Sequence, residues 1–308
     1  MMPSRRLVCA ALAAGLATPA FASRARFYAF TYFHNADDGG AGMRLAISRD
    51  GFTFSPVRGG MPMVVPHVGE NKLMRDPCVA RDPRTGRYHM VWTTGWTGRT
   101  IGHATSPDLV TWSAQTAIPV MAAYPDCHNC WAPELIWDDR TGRFILFWSS
   151  TVGGVGPKPR DHRIYATSTA NFHDFAPTAI FYDPGYSVID ATFVRRNGRL
   201  YFLIKDERKD PLRKVIQWCE AASPTGPFGP LSPPISPAWA EGPTAIMVGD
   251  ELVLFYDRYV EKTFGAVATR DMRHWYDVTP RIAIPAGANH GTMIAIPPGL
   301  YASLAALR

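Results

Sequence analysis

The sequence is short of several things that would have placed it in another class. It has only five cysteines in 308 residues, and no run of five or more basic residues. Scattered Lys and Arg do not make the basic stripe that nucleic-acid binding uses. No long polar or low-complexity tract marks disorder. Beyond the N-terminus no apolar stretch is long enough to span a bilayer. Cys127 and Cys130 form one C-x-x-C, with His128 inside it. A structural zinc site usually takes two such pairs, so these cysteines, with Cys78 and Cys219, are expected to be structural rather than catalytic. Their pairing is not legible from sequence.

Glycine (26) and proline (27) are plentiful and punctuate the whole chain. That pattern favours short strands and turns over long helices. Residues 1–22 read as a secretion signal. Arg5 and Arg6 form a positive start that resembles a twin-arginine signal, Leu7 to Leu16 an apolar run, and Ala20-Phe21-Ala22 a small-x-small cleavage site. Its removal would take away Cys9 and lower the formal charge from +6 to +4. An exported protein, periplasmic or extracellular, is expected, with no membrane span in the mature chain.

A repeat sets the fold. One half-unit recurs at Met43–Phe54, Ile101–Trp112, Arg163–Phe175, Val215–Phe228 and Gly265–Trp275. Each copy reads as a short strand, a polar turn and an aromatic on a final short strand. A second half-unit starts at Asp76, Ala132, Asp190 and Glu241, and continues as strand, turn, strand. Together they make a four-stranded meander of roughly 50 residues, the size of a propeller blade. The N-terminal part lacks an inner strand, which His290–Ile296 can supply from the other end. Residues 23–308 are therefore expected to form one all-β domain, a five-bladed β-propeller whose last blade is closed by both termini.

In a propeller the inner strands converge on the axis. The repeat thus brings Asp76, Glu134, Asp190, Glu241 and His290 towards one funnel. Glycoside hydrolysis needs two carboxyl groups there, one protonated and one ionised, and a third can set the acid's proton affinity. Glu134 follows Pro133 directly and should point differently from the other three. It is expected either to touch ligand or to satisfy groups between blades.

The series Arg75-Asp76-Pro77, Trp131-Ala132-Pro133-Glu134, Ile189-Asp190, Glu241-Gly242-Pro243 and His290-Gly291 resembles glycoside hydrolase family 43 in order and blade spacing. The resemblance covers nearly the whole mature chain. It implies an inverting, exo-acting glycosidase of arabinofuranosidase or xylosidase type, acting on oligosaccharides derived from polysaccharides. It implies Asp76 as general base, Asp190 as the aspartate that tunes and orients the acid, and Glu241 as general acid. It implies that His290 helps hold a calcium ion or water near the axis, with no cofactor required. Ala191 stands where the family usually has Pro.

Sugars present apolar faces to aromatic rings. Trp131, just before a funnel strand, is the expected platform, and Trp96 a rim residue. Trp92, Trp112 and Trp148 are expected to pack between blades. Arg75, Lys205 and Arg258 are expected to pair with the carboxylates or bind substrate hydroxyls. Gly153 to Pro159 reads as a rim loop. The competing readings are a glycoside phosphorylase, which needs cations converging in the funnel, a retaining furanosidase of a related propeller family, and a carbohydrate-binding propeller without catalysis. The invertase-type N-terminal motif Trp-Met-Asn-Asp-Pro-Asn-Gly is missing, which favours inversion.

Overall fold

The computed structural model describes residues 26–153 and 161–308. The expected signal at 1–22 and most of the expected rim loop lie outside the described residues. The N-terminal part forms β1 (Phe27–His34), β2 (Arg44–Ser48) and β3 (Ser55–Pro56). The next sheet is β4 (Arg75–Arg81), β5 (Tyr88–Thr93), β6 (Ile101–Ser106) and β7 (Thr116–Ile118). A third runs through β8 (Trp131–Asp138), β9 (Arg143–Ser150), β10 (Arg163–Thr169) and β11 (Ala179–Tyr182). A fourth has β12 (Val188–Arg196), β13 (Arg199–Asp206) and β14 (Val215–Ala221), and a fifth β15 (Glu241–Val248), β16 (Glu251–Arg258), β17 (Thr263–Thr269) and β18 (Trp275–Asp277). The last strand, β19 (Ala288–Ile296), pairs antiparallel with β1 and makes it a four-stranded blade. Inner strands β4, β8, β12, β15 and β19 pack side by side around a closed ring. The fold is the five-bladed propeller with a seam built from both ends of the chain.

Local chemistry explains the repeat. In four copies a side-chain oxygen caps the turn after the third strand. Asp50 Oδ1 accepts the N–H groups of Phe52 and Thr53 at 2.8 and 2.7 Å. Asp108, Asn171 and Asp271 do the same for the residues two and three places on. These are Asx turns, which Asp and Asn form by replacing a backbone acceptor with their own. The hairpin at Asn197-Gly198 has both residues at positive φ, as a type I′ turn requires.

Two expectations need correction. The fourth blade has three hydrogen-bonded strands rather than four. Phe228 makes only a bridge to Ala221, and the following segment runs beside β14 through single bonds such as Ser232 N–H to Trp218 O. Six prolines between 224 and 237 remove the donors a fourth strand would need. The chain also ends in a helix, α1 (Pro298–Ala305), which was not foreseen. Its Tyr301 and Leu304 are buried against the seam blade, and Tyr301 stacks on Phe27 at 4.4 Å. Trp92 and Trp148 are fully buried, as expected of packing residues. Cys78, Cys130 and Cys219 are buried, Cys127 is half-buried, and all four are free thiols.

Candidate active site

Each inner strand is irregular at the same place. Its pairing shifts register between Arg75 and Cys78, Trp131 and Glu134, Ile189 and Thr192, and Glu241 and Thr244, and in the seam blade opposite Thr31 to Phe33. The extra residue is a β-bulge, a device that re-aims a side chain. Asp76, Ala132, Asp190 and Gly242 occupy the same bulge position, all at positive φ between 44 and 56°. Aspartate tolerates that conformation better than most residues. Pro77, Pro133 and Pro243 follow it, at positions where the ladder needs no donor. Gly242 is compelled: a Cβ there would lie 2.5 Å from His290 Cγ. Gly291 is compelled too, since its Cβ would meet Thr31 O at 1.8 Å. The Glu-Gly-Pro and His-Gly motifs are thus steric necessities of the axis.

The blades are stitched together by the residue opposite each bulge. Thr93 Oγ1 accepts the Ala132 N–H at 2.8 Å, Ser149 Oγ the Asp190 N–H at 3.2 Å, and Asp257 Oδ2 the His290 N–H at 3.4 Å. In the fourth blade this position is Lys205, paired across the strands with Ile189. An ammonium has no acceptor. The Gly242 N–H therefore turns to the carboxylate of Asp190, at 3.0 Å, and Lys205 is left to reach Glu241.

One cavity of about 780 Å³ is lined by Arg75, Asp76, Trp96, Trp131, Asp190, Lys205, Glu241 and His290. Eight of the ten expected site residues therefore meet. Asp76 accepts the Thr93 hydroxyl at 2.7 Å on Oδ2 and faces His290 Nδ1 at 3.5 Å on Oδ1. Asp190 is buried, and burial pushes its carboxyl up to about 6, with His290 pulling the other way. Burial opposes the charge of His290, yet Asp190, Asp76, Glu241 and Glu134 together raise it above its ordinary value. Lys205 is also raised despite burial, by Glu241 at 2.7 Å and Glu207 at 3.0 Å. Arg75 reaches Asp38 at 2.7 Å and lies 4.2 Å over the Trp96 ring. Trp131 meets Trp96 edge to face at 5.8 Å and donates its Nε1–H to Trp96 O at 3.0 Å.

Two expected residues are elsewhere. Glu134 lies two places beyond the bulge and faces a second cavity of about 480 Å³, at the register of Cys78, Thr192, Thr244 and Thr292. It accepts the Thr192 hydroxyl at 2.7 Å, and burial drives its carboxyl up to about 7. Two residues of strand past the bulge separate it from the layer of Asp76 and Asp190. Arg258, at the end of β16, pairs with Glu261 at 2.7 Å and does not line the main cavity. Sequence reading missed Thr93, Glu207, Lys209, Lys214, Trp239 and Tyr259, which do line it. Position offered a signal for two of them: Thr93 ends a second strand, and Trp239 stands two places before Glu241. Also missed was Asp257 behind Glu241, whose buried carboxyl rises to about 6 and accepts the Asn289 amide at 3.0 Å.

Residues 24–298 match the family 43-related glycosyl hydrolases, a family described as "Probable glycosyl hydrolase domain". The chain belongs to that family. An α-L-arabinofuranosidase of Bifidobacterium longum subsp. longum is 24% identical over 209 residues, which cover 59% of this chain and 20% of that protein. The chain thus matches about a fifth of the length of that curated relative. Among solved structures, the α-L-arabinofuranosidase from Lactobacillus brevis superposes with a TM-score of 0.55 at 17% identity, over 67% of this chain and 72% of its own. The endo-arabinase from Bacteroides thetaiotaomicron gives 0.54 at 15%, over 70% and 84%. At those identities the structures speak for the fold. Among the described residues no three His, Cys, Asp or Glu side chains are grouped to hold a metal ion. A calcium ion takes six to eight oxygens, so the residues around His290 do not fit a protein-built calcium cage.

Proposed function

We propose that this chain is an inverting, exo-acting glycoside hydrolase that removes a terminal sugar, of arabinofuranosyl or xylosyl type, from plant-derived oligosaccharides. The observation that carries this reading is the meeting of Asp76, Asp190 and Glu241, from three different blades, in one cavity beside two indole rings. In this reading Asp76 is the base. Thr93 holds one of its oxygens, and the other, which faces His290 at 3.5 Å, takes a proton from the attacking water. Glu241 gives its proton to the leaving oxygen. Asp190 is a positioning residue: it fixes the Gly242 amide, and so the backbone that carries Glu241. Trp131 and Trp96 supply apolar faces for the sugar ring. In inverting enzymes acid and base stand apart with room for water between them. Family membership and the relatives' names support the reaction class; the roles of Asp76, Asp190 and Glu241 are those the resemblance implies, supported by their meeting in one cavity.

The experiment is a panel of nitrophenyl glycosides covering α-L-arabinofuranoside, β-D-xyloside, β-D-galactofuranoside and β-D-galactopyranoside, with wild type beside Glu241→Ala. Turnover of one sugar with inverted anomeric product, read by proton NMR, is expected. The variant should retain turnover only with good leaving groups. Silence across the panel, or retention, counts against the reading. Export belongs to the same proposal, because polymeric substrates lie outside the cell; a secreted product beginning at Ser23 is the expected result of N-terminal sequencing.

A further inference from the structure

The charges around the cavity are divided by side. Next to Asp76 stand Thr93, His290 and Arg75, the last committed to Asp38 at 2.7 Å and to the Trp96 ring. Next to Glu241 stands a buried cluster: Lys205 contacts both Glu241 and Glu207, and Lys214 also pairs with Glu207. The side chains of Lys205 and Lys214 are only 1% and 3% exposed. Arg208 and Lys209 bring two more cations to the same wall. Arg208 is committed, bound to Asp206 at 2.6 Å and stacked 3.8 Å over Tyr186. Among the described residues Lys209 makes no ion pair.

The charge count of this cluster depends on Glu241. With Glu241 ionised, two ammoniums face two carboxylates. A general acid must carry a proton before it can give one. Once it does, Lys205 and Lys214 share Glu207 only, and one positive charge is left unmatched in a buried site, a costly arrangement. The other titratable neighbours fill the gap only in part. Asp190 answers Lys205 as well as His290, which also faces Asp76 at 3.5 Å, Asp257 is held by Asn289 and the His290 amide, and Tyr259 is an uncharged phenol under Lys205. A ligand that brings its own negative charge does fill it.

We propose that the leaving-group side of the cavity binds a sugar bearing a carboxylate, a uronic acid unit, between Lys205 and Lys209. Its carboxylate takes over Lys205, and the proton of Glu241 then passes to the glycosidic oxygen of that same uronate. The C–O bond on the glycone side breaks, water enters with its proton going to Asp76, and the neutral alcohol of the uronate leaves. This rests on the hydrolase reading and adds the substrate class. Inorganic phosphate is the less favoured anion. As a nucleophile it would have to arrive on the side of Asp76, where Arg75 is committed to Asp38 and His290 faces Asp76, whereas the lysines gather beside Glu241.

The probes are D-glucuronate, D-galacturonate, D-glucose, D-galactose and inorganic phosphate, tested by calorimetry and as inhibitors of aryl-glycoside turnover. The uronates should bind about tenfold or more tightly than the matched neutral sugars, the difference one charge-assisted pair supplies. Lys209→Met, checked by circular dichroism, should reduce that preference about tenfold, and 0.5 M salt should weaken it. Equal binding of acidic and neutral sugars would overturn the proposal. So would a preference that survives intact in Lys209→Met, or phosphate competing best with a glycosyl phosphate as product. If no aryl glycoside turns over, the hydrolase reading fails, while calorimetry still decides whether the carboxylate site exists.

Discussion

Thr93 spends its single hydroxyl proton on Asp76 Oδ2 at 2.7 Å, because its oxygen already accepts the Ala132 amide from the next blade at 2.8 Å. One side chain therefore both joins two blades and aims the proposed base. Thr93→Val keeps the shape and removes both bonds. We expect kcat to fall roughly tenfold to a hundredfold and stability to drop by about 1–2 kcal/mol, read from steady-state kinetics and a thermal melt. Full activity in this variant would separate Thr93 from the chemistry.

Glu241→Gln and Asp76→Asn should each lower turnover by about 10²–10⁴-fold, with a cooperative melt preserved. The two should differ in rescue. Azide or formate is expected to restore turnover where the base is missing, whereas the acid variant should recover only with activated leaving groups. A collapsed melt in either would make that carboxylate a structural element instead.

Trp131 is held by Trp96 O through its indole N–H and by the edge-to-face contact with the Trp96 ring. Trp131→Ala should raise KM by roughly tenfold, as loss of one stacking face implies, with a smaller change in kcat. An unchanged KM would move the platform elsewhere, to Trp239 or Tyr259.

Glu134 gives a pH signature. Its carboxyl rises from 4.5 to about 7 because burial disfavours the charge. A raised folded value means that the native state holds the proton more tightly than the unfolded chain. Its contribution to stability is then greatest below 4.5 and is lost as pH rises through about 7. The full loss is on the order of 3 kcal/mol. Glu134→Gln, which can still accept the Thr192 hydroxyl, should remove that slope and raise the melting temperature at pH 8. A wild-type slope that persists in the variant would assign it to other groups.

His89 and His103 should act in the opposite direction. Their rings touch at 3.0 Å between Nδ1 and Nε2 and stack on Phe172, and burial lowers them to about 4 and about 3. Their neutral forms are favoured on folding. The stability they contribute is complete above about 6.5 and is lost as pH falls towards 4. The melting temperature of His103→Gln should therefore fall less between pH 6.5 and 4.5 than that of the wild type.

The sequence by itself determined the blade count, the strand boundaries near the axis and the seam. Each of these is written in local chemistry. Asp50, Asp108, Asn171 and Asp271 close the same turn by the same side-chain bond, and alternating apolar residues mark the strands between them. The bulge was half legible, as Asp-Pro, Ala-Pro and Gly-Pro at matching points. That Glu134 points differently was legible too, from its place after Pro133; tertiary structure decided where it goes. A residue two places past a bulge lands in the next layer of the axis, so Glu134 parts from Asp76 and Asp190 although its motif aligns with theirs. Only the closed ring sets Lys205 against Glu241 and adds Glu207 and Lys214 behind it. That pairing joins positions 36 residues apart on different blades, and it arises because a lysine in the fourth blade has no acceptor for the next blade's amide. No pattern within one strand carries that information. It depends on what the neighbouring blade presents once the ring is closed.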